Sequence, residues 1–171
     1  MSMRIVVSDS SCLIDLRKVS LLETLLELPY EFVIPNTLFE DELLKFTAAQ
    51  KKALIRGGLK VVDVPGERVL RAQAIVQASP RLSVHDGFAF AIAEGHPGSI
   101  LLSGDEALRT IATKNHIEVH GVLWVVDELH RCRLTSARSL VSALKVFSSD
   151  QTVRLPRREL AAYLKRYEAL K

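Results

Sequence analysis

A chain of 171 residues is the length of one domain and can bury about two-thirds of its unfolded surface. Its 48% hydrophobic and 25% charged residues are those of a globular protein rather than a disulfide scaffold, and no segment reaches the ~20 apolar residues of a membrane span. The net charge of +3 is mild, but the last 45 residues carry ten Lys/Arg against five Asp/Glu, and the body carries thirteen against fifteen. RIVVS (4–8) is a β-branched run that predicts a central strand, and Ser10 or Ser11 caps a helix to about Lys18. LLETLLEL (21–28) predicts a short helix, FVI (32–34) a second strand ended by Pro35, and NTLFEDELLKF (36–46) a helix with Asn36 near its start. TAAQKKALIR is helical up to Gly57–Gly58, LKVVDV (59–64) is a third strand, and Pro65 opens a helix to about Ala78. Pro80 breaks the chain and Ser83 caps the apolar helix VHDGFAFAIA. SILLS (99–103) and IEVHG (117–121) are the fourth and fifth strands, separated by the helix EALRTIATKN. VLWVVDELHRC, SARSLVSALKVF and RRELAAYLKRYEAL complete the chain as helices. Strands alternating with helices predict a three-layer α/β fold with a mostly parallel central sheet.

Ligands of such sheets bind at the carboxyl ends of the strands, near a reversal of strand order. Asp9 follows the first strand directly and Asp105 follows the fourth. Both strands are continuous apolar runs, the pattern of strands covered on both faces. Each aspartate reads in two ways, as a helix cap favoured by the positive end of the helix dipole or as a site acid. Asp86 lies in the first turn of an apolar helix that Ser83 already caps, which leaves its carboxylate without a local task and favours a site role. A fourth acid comes from Glu40, Asp41 and Glu42. At about 100° per residue, Phe39, Leu43 and Phe46 share the core face, with Glu42 about 60° from its centre, Glu40 about 100° off and Asp41 toward solvent. Glu42 is therefore the first choice and Glu40 the second.

With these residues in place, the chain resembles the PIN-domain nucleases, in particular VapC-type toxins and their relatives. The resemblance rests on Asp-Ser-Ser followed by Leu-Ile-Asp-Leu (9–16), Ile-Pro and a helix with Glu-Leu (34–43), Leu-Ser-x-x-Asp opening an alanine-rich helix (82–93), and Leu-Leu-Ser-Gly-Asp-x-x-Leu-Arg (101–109). EVHGVLWVVDEL (118–129) extends it, so that residues 4–150 are covered. The resemblance implies a PIN-like α/β/α domain over residues 1–150 with extra C-terminal helices, residues 151–171 being a basic helix packed on the domain or on a partner. It also implies Asp9, Glu42, Asp86 and Asp105 as an acidic quartet around one or two Mg²⁺ or Mn²⁺ ions, with Ser10 and Ser103 as orienting hydroxyls. Ser103 stands where the family often has Thr, and one extra residue precedes Glu-Leu.

The function implied is a metal-dependent endoribonuclease, the toxin of a type II toxin–antitoxin pair, with RNA, an antitoxin protein and a second copy of the chain as partners. Hard divalent cations take carboxylate and water oxygens, and a bound metal supplies a hydroxide near neutral pH while offsetting charge on a phosphodiester. Arg109, one turn past Asp105, either contacts an RNA phosphate or pairs with an acid. The alternatives are a PIN nuclease acting on other nucleic acid in RNA processing, and a non-catalytic PIN-like binding module, which the presence of candidates for all four acids disfavours. No GxxxxGK[ST] or GxGxxG loop supports a nucleotide-binding reading, and the five histidines have no metal-ligand spacing. Cys12 and Cys132 fit neither a metal knuckle nor a disulfide framework, and the N-terminal apolar run is too short for a signal peptide, so the expected location is the cytoplasm.

Overall fold

The computed structural model describes residues 2–171. One sheet holds β1 (Arg4–Ser8), β2 (Tyr30–Pro35), β3 (Lys60–Val62), β4 (Ile100–Leu102) and β5 (Glu118–His120). The strand order is β3-β2-β1-β4-β5, and every neighbouring pair is parallel. The helices are α1 (Ser10–Lys18), α2 (Leu22–Leu25), α3 (Asn36–Asp41), α4 (Ala48–Arg56), α5 (Gly66–Ala78), α6 (Val84–Glu94), α7 (Glu106–Lys114), α8 (Val122–Arg131), α9 (Ala137–Ser149) and α10 (Arg157–Glu168). The α/β fold expected from the sequence is the one that forms, with a parallel sheet between helical layers.

Parallel strands need covered faces, and the residues supply the cover. Val6 and Val7 of β1 and Leu101 and Leu102 of β4 are fully buried. The apolar helix α6 packs on β1, β2 and β4, with α5 and α7 beside it. On the opposite face α1 and α2 meet α8, as right-handed crossovers require. Next, α9 packs on α8 and α10 on α9, burying Phe147, Leu160 and Tyr167. Asp127 of α8 fastens α10, accepting from the hydroxyls of Tyr163 (2.7 Å) and Tyr167 (2.6 Å) and pairing with Arg166. None of the helices of the described residues is long and apolar enough to cross a membrane.

Two predicted helices are shorter in the structure: LLETLLEL (21–28) is helical only over Leu22–Leu25, and the helix expected over 36–46 is cut back as well. The 36–46 segment stops at Asp41, with Glu42 as the residue that closes it. The turn beyond that end is held from elsewhere: the Arg17 guanidinium donates to the Lys45 carbonyl (3.0 Å) and lies over the Phe46 ring, 4.9 Å from its centroid. Leu43 and Phe46 remain buried on the turn, so the apolar pattern survives while the helix does not.

The order of the strands sets the position of the site. From β1 the chain builds β2 and β3 to one side, then returns to place β4 and β5 on the other. The reversal opens a crevice at the carboxyl ends of β1 and β4. There the ladder runs one bond beyond the strands, from the Asp9 N–H to the Leu102 carbonyl (2.8 Å).

Gly87 lets α6 approach α5 closely. A Cβ there would stand 2.7 Å from Val76 Cγ2 and 3.0 Å from the Ala72 carbonyl oxygen, whereas a Cβ at Gly66 would meet nothing. Overpacking outweighs the helix-propensity gain of alanine, so Gly87→Ala should destabilise by about 1 kcal/mol, or about 2–4 °C in Tm. Gly66→Ala should leave Tm unchanged or raise it. Thermal melts of both variants check this, and a Tm for Gly87→Ala equal to or above the parent's would refute the close packing.

Candidate active site

Asp9 is the most constrained acid at the crevice. It caps α1, its Oδ1 accepting from the Ser10 N–H at 2.8 Å. Its Oδ2 accepts from the hydroxyls of Ser103 (2.8 Å) and Ser11 (3.1 Å). Those hydroxyls are themselves oriented, because the Asp105 N–H donates to Ser103 Oγ (3.0 Å) and the Gly104 N–H donates to Ser11 Oγ (3.2 Å). A hydroxyl that accepts one bond and donates another couples the two strand ends through Asp9. The sequence offered Ser10 or Ser11 as the cap of α1, but Asp9 takes that place, and Ser11, two residues past it on the first turn, serves the site as a donor to Asp9 instead.

Glu42 reaches the same place from the end of α3. Its Oε1 accepts from the Ser10 hydroxyl at 2.7 Å. Glu40, the second choice from helix geometry, is exposed, and Asp41 bonds His85 at 3.1 Å. The face calculation extended the helix through residue 46, yet its ranking of the two glutamates agrees with where the turn puts them.

Asp86 does have a local task, contrary to the sequence reading. It completes a capping box: Oδ2 accepts from the Ser83 N–H (2.8 Å) and the Ser83 hydroxyl accepts from the Asp86 N–H (3.1 Å). Asp105 likewise caps α7, its Oδ1 accepting from the Leu108 N–H at 2.8 Å. All three aspartates therefore spend one oxygen on a helix N-terminus, which fixes the direction of the other.

The electrostatics tie the four together. Burial raises the Asp9 carboxyl to about 6, Ser103 and Ser11 pull it back, and the charges of Asp86 and Glu42 push it up. Burial also raises Asp86, with the Ser83 contacts opposing and Asp105 and Glu42 adding repulsion. None of the four pairs with a Lys, Arg or His of the described residues. Arg109, the nearest candidate, instead donates to the Ser103 carbonyl at 3.0 Å and packs against Gly121, bracing the end of β4.

Carboxylate and hydroxyl oxygens are the donors that suit Mg²⁺ or Mn²⁺. No group of three or more His, Cys, Asp or Glu side chains of the described residues is close enough to hold an ion directly. Mg²⁺ keeps several waters and touches one or two carboxylates, and uncompensated acids at this spacing fit a hydrated cation of that kind. Glu42 and Asp105 also line a cleft of about 520 Å³ whose other walls include Thr152, Arg154 and Leu155.

The family model DUF3368, described as a PIN domain, matches residues 5–169. No curated protein matches the chain.

The raised Asp9 carboxyl gives a pH signature. A folded value near 6 against 3.8 unfolded means that the folded state holds this proton more tightly. Its contribution is full below about pH 4 and is lost as pH rises through about 6. In EDTA, denaturant titration should show Asp9→Asn gaining on the parent by on the order of 3 kcal/mol between pH 4 and pH 7.5. A pH-independent difference would refute the buried, uncompensated charge.

Proposed function

The chain belongs to the PIN-domain family, and from that premise we propose that it is a metal-dependent endoribonuclease, the toxin of a type II toxin–antitoxin pair. PIN domains carry nuclease-type chemistry. The observation that supports the finer reading is the convergence of Asp9, Glu42, Asp86 and Asp105 at the β1/β4 crevice with no protein cation to compensate them. The toxin role rests on the likeness of the motifs to VapC-type proteins, and an antitoxin and a second copy of the chain are the proposed protein partners.

In this reading the four acids hold Mg²⁺ or Mn²⁺. When bound, the metal lowers the pKa of water and offsets charge on the phosphodiester. Asp9 is held rigid by Ser10, Ser11 and Ser103, so little motion separates its resting and working positions. Asp86 and Asp105 each keep one oxygen on their helix caps, which leaves the other free for a metal-bound water or the metal. The Ser10 hydroxyl steers Glu42, the acid on the least regular backbone. Ser103 is a positioning residue that acts through Asp9 and Asp105. Arg109 braces the end of β4, and the basic C-terminal region attracts the RNA backbone.

The reading is tested by incubating purified protein with a labelled RNA pool in Mg²⁺ or Mn²⁺, with EDTA and with Asp86→Asn in parallel. An asparagine oxygen can still accept from the Ser83 N–H, so Asp86→Asn should shift Tm by no more than about 2 °C. Activity should be abolished by EDTA and fall at least ~100-fold in Asp86→Asn, with a smaller loss of about 10–100-fold in Ser103→Ala. Cutting that survives EDTA and Asp86→Asn would reject this site. Expression of the parent, but not of Asp86→Asn, should arrest growth if the RNA cut is essential.

A further inference from the structure

We propose that the cleft beside the acids is a subsite for one unpaired nucleotide of the substrate strand, its walls taking the base and its rim cations the adjoining phosphate. This deepens the nuclease reading and rests on it. Glu42 and Asp105 are among the cleft's lining residues, so a strand whose scissile phosphate lies at the acids runs directly beside the cleft. Its volume of about 520 Å³ is in the range of small-molecule sites. Ile14, Leu44, Phe46 and Leu155 give it apolar walls, from α1, the turn after α3 and the segment before α10. Leu44 is 78% exposed, so its apolar surface is free to be covered by a ligand.

The charges at the rim favour a nucleic-acid strand. Arg17 is committed to the Lys45 carbonyl and the Phe46 ring. Lys18 is committed to Thr152 (2.5 Å), Asp150 (3.5 Å) and Asp15 (3.7 Å), and so ties the 152–155 segment to α1. Lys45 and Arg154 also line the cleft, are exposed, and pair with no carboxylate of the described residues. Two unpaired cations stand beside four uncompensated acids without neutralising them. A phosphodiester strand resolves both, with one phosphate at the metal held by the acids and the next at Lys45 and Arg154. A base reaches apolar walls only when it is unstacked, so the substrate is single-stranded at this position.

The test is fluorescence anisotropy in Ca²⁺, a cation that carboxylate oxygens can take, with a gel confirming that each probe stays uncut while binding is read. The probes are end-labelled eight-nucleotide oligoadenylate, oligouridylate and the same ribose-phosphate chain with abasic sites. Removing the bases should weaken binding to the parent about tenfold. Leu44→Ser, at an exposed position that leaves the fold intact, should erase most of that difference, and Leu44→Tyr should retain it. Lys45→Ala with Arg154→Ala should weaken all three probes alike and lower the slope of log K against log salt by about 1.4. Equal binding of abasic and normal chains by the parent would overturn the subsite and leave the cleft to a peptide segment of a protein partner. A base-dependent affinity untouched by Leu44→Ser would overturn it as well. Because nothing here depends on cutting, a protein that passes this test but cleaves no RNA loses the nuclease reading alone.

Discussion

The hydrogen bond from Ser103 to Asp9 is the contact on which the crevice depends. It joins the ends of β1 and β4, the two strands at which the sheet reverses its order. It partly offsets the burial of a carboxylate that is 4% exposed. Through the N–H of Asp105 and the hydroxyl of Ser11 it also sets where the α7 cap and the first turn of α1 begin. A hydroxyl suits this position because it donates and accepts at once, and the family's usual Thr would do the same.

The acids therefore serve two masters. Each aspartate is a helix cap, which stabilises, and each belongs to a cluster of like charges, which destabilises. The caps are satisfied by one oxygen, so the repulsion falls on groups that cannot turn away without uncapping a helix. Such a site is held in tension by the fold, and the proposed cation would relieve it. That division of labour explains why an amide replacement at Asp86 separates the two roles: the cap needs only an oxygen, while the cluster needs charge.

The C-terminal segment contributes more than a basic surface. Lys18 ties residues 150–152 to α1, while Asp127 fastens α10 to α8. Between those two anchors the chain passes the acids and supplies Arg154 and Leu155 to the cleft wall. The family match runs to residue 169, across this same segment. Residues far apart in sequence thus form one continuous surface, acidic at the crevice and apolar and basic beside it.

By itself the sequence determined the alternation of strands and helices, the buried runs RIVVS and SILLS, and the placing of Asp9 and Asp105 just past them. It did so because strand and helix periods and caps are local signals, written within a few residues. The order of Glu42 before Glu40 was also legible, since the apolar spacing of Phe39, Leu43 and Phe46 survives the loss of the helix. Only the tertiary structure showed that α3 stops at Asp41, with the turn beyond it held by Arg17, 28 residues before the Lys45 whose carbonyl it bonds. The capping role of Asp86 was local but was masked by the assumption that one cap per helix suffices. The pairing of Ser103 with Asp9, the bracing role of Arg109 and the cleft beside residues 152–155 needed the full fold. The first and the last depend on groups far apart in sequence, 94 residues in the Ser103–Asp9 bond and 134 in the Lys18–Thr152 bond beside the cleft, and no local periodicity encodes such contacts.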